Sequence, residues 1–140
     1  MRFLIFKFIF LFVFIDSGSV FSQTITLVKN LDFGFRTQGV AATVTVAPTD
    51  AGAAVFNATG MIPGRTATCR VTNNSITMTN GTSGTNNQIT VNTFRINGCT
   101  AVVPATGQIL NIGVGARASI TTAKLEGVYT GTATFRITTN

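Results

Sequence analysis

Between Gly127 and Thr138 the chain reads GVYTGTATFRIT. Tyr129, Ala133, Phe135 and Ile137 fall on odd positions, while Thr130, Thr132, Thr134, Arg136 and Thr138 fall on even ones. Period two is the spacing of a strand with one buried face and one wet face. Gly131 lies on the apolar face, where it leaves room for a close neighbour or marks a bulge. A strand this regular needs a sheet to enter, and the rest of the chain must supply it.

The upstream sequence is of the same kind. Ile25, Leu27, Leu31, Phe33 and Phe35 share one parity and read as a first strand, broken near Lys29-Asn30. Val44 and Val46 alternate with Thr43 and Thr45 before Pro48, and Ala53 to Ala58 carries Val55 and Phe56. Ala67, Cys69 and Val71 alternate with polar neighbours, as do Ile76 and Met78. Asn80 to Gln88 is polar and rich in Asn and Gly, the composition of a surface loop. Ile89 and Val91 are apolar on odd positions, Phe94 and Ile96 on even ones. A phase change of that sort inside a strand places a bulge or break at Asn92-Thr93. Leu110, Ile112 and Val114 form a further strand, which Ala116 to Ile120 continues. Thr is the commonest residue and no window after residue 22 has a helical period. The expected class is all-β, an immunoglobulin-like two-sheet sandwich of eight or nine short strands.

The beginning of the chain reads differently. Arg2 and Lys7 form a basic region, Phe8 to Ile15 is an unbroken apolar run, and Val20-Phe21-Ser22 has cleavage-site spacing. The stretch Phe3 to Ile15 is too short to span ~30 Å of hydrocarbon. Residues 1–22 are therefore expected to be a signal peptide cut after Ser22, leaving 23–140 as one exported domain. That mature part carries eight Lys or Arg against Asp32, Asp50 and Glu126, a net charge of +5. The positives are scattered singly, without the basic stripe and aromatic platforms of a nucleic-acid groove.

Cys69 and Cys99 are the only cysteines. In an exported chain they read as one disulfide, worth roughly 3–4 kcal/mol for a loop of ~30 residues in the chain-entropy account. The chain has no His and no C-x-x-C, and its mature part has only those three dispersed acids. An enzyme needs an acid, base, nucleophile or metal at close quarters, so catalysis, cofactors and metal ions are not expected.

Several segments taken in order form a recognisable series. Leu31-Asp32-Phe33-Gly34 looks like an L-x-F-G opening, and Ala54 to Gly60 like an A-x-F-x-V-x-G segment. Ser75 to Gly81 follows as a strand and turn, and Ile112 to Ala116 looks like L-x-V-G-A. Gly127-Val128-Tyr129-Thr130-Gly131 looks like a closing G-x-Y-x-G. Together these resemble the bacterial family called domain of unknown function 4402, which is similar to fimbrial subunits of the Mat or common-pilus type. The resemblance implies a β-sandwich travelling through the periplasm to the cell surface, with a structural role. It implies as partners further copies or other pilus subunits, and a periplasmic chaperone and usher. Gly127 stands fourteenth from the end, as in chaperone–usher subunits, but the penultimate residue is Thr139 where those subunits carry an aromatic.

Pilins of that type join by strand addition, one subunit's extension filling a neighbour's groove. Ile25 and Leu27 are the candidate knobs of such a donor, with Lys29 as a charge in the third place. The competing expectation is that Ile25 and Leu27 begin this molecule's own first strand. The mature chain is then a self-complete, monomeric, adhesin-like binding module whose ligand the sequence does not name. Leu31, Phe33, Tyr129, Phe135 and Ile137 are the expected core anchors, and Gly34, Gly127 and Gly131 the positions expected to take conformations or contacts that a side chain would block.

Overall fold

Period two governs the molecule, and where it fails a bulge is responsible. In the computed structural model residues 23–140 are described throughout, together with the backbone of Phe3–Lys7 and Ile9–Phe12. The expected cut after Ser22 lies outside the described residues. The strands, in chain order, are β1 Phe3–Lys7, β2 Ile9–Phe12, β3 Thr24–Lys29, β4 Asp32–Thr37, β5 Ala42–Val46 and β6 Ala54–Thr59. After them come β7 Ala67–Val71, β8 Ser75–Thr79, β9 Gln88–Asn97, β10 Ile109–Ile120, β11 Gly127–Tyr129 and β12 Thr132–Thr139. The class is all-β, with one short 3-10 turn at Thr85–Asn87.

The strands form two layers. The first has the order β3-β6-β10-β9-β8. The twelve-residue β10 is its spine: β9 runs along one side, and β6 and then β5 share the other. The second layer is built of two three-stranded pieces, β11-β1-β4 and β2-β12-β7. Between the layers lies one apolar core, to which Phe56 of β6 and Phe135 of β12 contribute a stacked ring pair 4.3 Å apart. Stacking of that kind adds about 0.5–1.5 kcal/mol to the burial of the rings themselves.

The expected breaks occur where the sequence placed them. β3 ends at Lys29 and β4 begins at Asp32. The phase change in β9 is a bulge: Thr93 has φ 53° and the register against β10 slips between Gly115 and Arg117. On both sides of it the apolar positions face inward or partly so. The final stretch is two strands rather than one, because it breaks at Thr130-Gly131. With that break and the separation of β3 from β4, residues 23–140 hold ten strands instead of eight or nine.

Two apolar residues depart from the expected face. Leu110 shares a parity with Ile112 and Val114, yet it is 48% exposed while Ile109 and Ile112 are buried. Asn111, at φ 58°, takes the extra place and the register against β6 shifts there. Phe35 shares a parity with the buried Phe33, yet it is 60% exposed. In β4 the register runs from Asp32 directly to Gly34 against β1, so Phe33 is the extra residue, and Gly34 sits at φ +72°. A glycine in the left-handed region is what such a bulge uses.

Candidate functional site

The second layer contains a lane for one strand, with β4 on one side and β11–β12 on the other. β1 lies in its first part. It is antiparallel to β4, from Phe3 opposite Thr37 to Lys7 opposite Asp32, and parallel to β11, from Leu4 beside Gly127 to Phe6 beside Tyr129. β2 lies in its second part, parallel to β12, from Ile9 beside Thr132 to Phe12 beside Phe135. Both parts keep one register with the C-terminal strands, so β1 and β2 are successive pieces of one occupant.

The lane joins residues that the sequence holds far apart. Gly34 and Tyr129 stand on either side of Phe6, Phe35 and Val128 on either side of Ile5, and Arg36 and Gly127 on either side of Leu4. The opening L-x-F-G and closing G-x-Y-x-G segments are thus the two banks of the lane. Beyond Tyr129, β12 contributes Ala133, Phe135 and Ile137, all buried. Leu31 and Phe33, at the head of β4, are buried too.

Local chemistry fixes the C-terminal bank. The buried Tyr129 hydroxyl donates to the Leu125 carbonyl at 2.7 Å, and the Asn86 carbonyl lies 3.2 Å away. Burial pushes the phenol's pKa above its ordinary 10.0. The loop before β9 is held to the same corner. Asn87, the buried polar residue of the core, donates to the Ser83 carbonyl and accepts from the Asn80 amide. At Gly131 a Cβ would lie 2.9 Å from Met78 Cγ and 3.0 Å from Ile76 Cδ1, so any side chain there requires Met78 and Ile76 of β8 to shift. Thr79 and Thr130 exchange both backbone hydrogen bonds at 2.9 Å beside it, tying the break in the C-terminal stretch to the edge of the first layer.

The other residues singled out from the sequence lie elsewhere. Cys69 in β7 is bonded to Cys99, just beyond β9, with a Cα–Cα distance of 6.1 Å, joining the second layer to the first. Ile25 and Leu27 are half-buried in β3, which pairs antiparallel with β6 at the edge of the first layer. They are part of this molecule's own sheet, remote in topology from the lane. Asn87 was missed because a polar residue in a polar loop gives no sign of burial. The lane's occupant gives little sign of itself in sequence, because the continuous hydropathy of Phe8 to Ile15 masks the regular spacing of its Phe residues.

Among the described residues no group of three or more His, Cys, Asp and Glu lies close enough to hold a metal ion. One depression of ≈ 280 Å³ is bordered by Thr93, Arg95 and Arg117 against Val46 and Pro48. Both arginines are exposed, and neither an acid nor a nucleophilic thiol borders it.

No protein-family model, curated protein or solved structure matches this chain.

Proposed function

We propose that this chain is a secreted, non-enzymatic structural subunit of fimbria-like type that assembles by β-strand addition into the lane between β4 and β11–β12. One observation carries the reading. If residues 1–22 are removed as a leader, residues 23–140 retain both banks of the lane and lose what lies between them. Among the described residues the ladder of β4 is made with β1, and so is that of β11. Two facing strand edges that have lost their common ladder partner, over an apolar floor, are a template for an added strand. The resemblance to the domain of unknown function 4402 family supports the same reading. So does the meeting of its opening and closing segments at this lane. Passage through the periplasm to the surface, help from a chaperone and usher, and donors from further copies or other pilus subunits belong to this proposal.

The test is the mature chain, 23–140, purified and run unheated in detergent. A ladder of heat-labile oligomers is the expected result. A chain that stays monomeric at high concentration and takes up no strand peptide overturns the reading.

A second reading, a self-complete adhesin-like module, is favoured by the position of β3. Ile25 and Leu27 are already committed to β6, so the mature N-terminal residues serve as a donor only by leaving that pairing. Deleting Gln23 to Lys29 separates the two readings. It abolishes a ladder built on that donor, and it lowers the stability of a monomer that uses the strand internally.

A further inference from the structure

We propose that residues 3–12 are the matched complement of the lane, so that the uncut chain is strand-complete and separation from its first 22 residues is the switch that opens the acceptor. The inference rests on the lane being the functional site proposed above, and it adds how that site is kept closed.

Three observations support it. The first is sequence. Phe occupies every even position from 6 to 14. Apolarity is all that a leader's central region requires, and it sets no parity. In a strand, that spacing puts the large aromatic residues on one parity and the smaller apolar Ile9, Leu11 and Val13 on the other. The second is register. Phe6, Phe10 and Phe12 fall at the register positions of Tyr129, Ala133 and Phe135, and those three residues are buried. The aromatic series of the N-terminal segment is therefore in phase with the core row of the C-terminal strands. Lys7, the charge within the segment, falls on the other parity and at the register position of Asp32. The third is competition. The other candidate donor, Gln23 to Asn30, has two apolar knobs, Ile25 and Leu27, before Lys29, and these are engaged with β6. A strand with more apolar positions in phase specifies its register more strongly. Covalent attachment gives it a high effective concentration besides.

The experiment uses the full chain with a protease recognition sequence inserted between Ser22 and Gln23. Before cutting, the protein should be monomeric, with the amides of β4 and β11 protected from hydrogen exchange. After cutting and removal of the released peptide, that protection should fall at least 100-fold, and Tm should drop by about 10 °C or more. Returning a solubilised peptide of residues 2–13 should restore both. The parity control is decisive for the mechanism. In the uncut chain Phe6→Ser with Phe10→Ser should lose the protection, whereas Ile5→Ser with Ile9→Ser should keep it. Equal loss in both double variants, or rapid exchange of β4 and β11 in the uncut parent, overturns the inference. If the cut chain rebinds the peptide yet never assembles, the inference stands and strand-addition assembly falls. If cut and uncut chains assemble equally fast, the assembly reading stands and the switch falls.

Discussion

In the first layer, β8, β9 and β10 are consecutive in the chain and each pairs with its sequence neighbour. In the second, β4, β7 and β12 come from three distant parts of the chain, and the central lane pairs Leu4, Ile5 and Phe6 with Gly127, Val128 and Tyr129, and Ile9–Phe12 with residues 132–135. The amino-acid pattern is the same in both, Thr alternating with small or branched apolar residues. What differs is the loop that must close before a ladder can form. Closure entropy rises with loop length, and long-range pairing is slow to gain what it costs. The β8-β9-β10 part of the first layer can thus be built from local hairpins, onto which β5 and β6 close longer loops, while the second layer waits for the two ends of the chain. Stability should be divided accordingly, and in residues 23–140 separated from the first 22 the least protected amides should lie in β4 and β11.

The largest effect should come from the core that both layers share. Phe135→Ala removes a ring stacked on Phe56 and should cost about 3–5 kcal/mol, read by denaturant unfolding. If the layers are as unequal as the topology says, Ile112→Ala should instead cost about 2–5 kcal/mol and lower protection in β9 and β10 first. A smaller loss, ~2–4 kcal/mol, is expected when Cys69 and Cys99 are both replaced by Ala. Exchange should then rise most in β7 and β12, and a uniform rise through both layers would count against the division drawn here.

Tyr129→Phe removes the donor to the Leu125 carbonyl and should cost about 1–2 kcal/mol. It also carries a pH signature. Burial raises the phenol's pKa in the folded state, so the fold favours the neutral form. Stability is then unaffected by this group below about pH 10 and falls as pH rises from there toward the folded value. The Phe variant should lack that alkaline decline. The smallest effect is a gain in the first layer. Thr93 is β-branched at φ 53°, and Thr93→Gly should stabilise by up to ~1 kcal/mol, against the loss of one exposed hydrogen bond to Asn92.

Much of this was legible in the residues. Ala133, Phe135 and Ile137 are buried as their parity requires, the Cys69–Cys99 bond exists, and the bulge at Thr93 lies at the phase change between Val91 and Phe94. Alternation reports a face directly, so these positions could be read off. Leu110 and Phe35 could not, because one residue of positive φ beside each exchanges the faces without altering the pattern. The lane was hidden for another reason. Its banks, Gly34 and Tyr129, are individually ordinary, and only the pairing of β4 and β11 with β1 makes them neighbours.

The disulfide then acquires a mechanical meaning. Cys69 lies in β7, opposite Ile137 of the C-terminal strand, and Cys99 follows the end of β9. A pull on a strand seated in the lane passes through β12 to β7 and from there, by a covalent bond, to the hairpin layer. Reduction removes that covalent tether between the two layers.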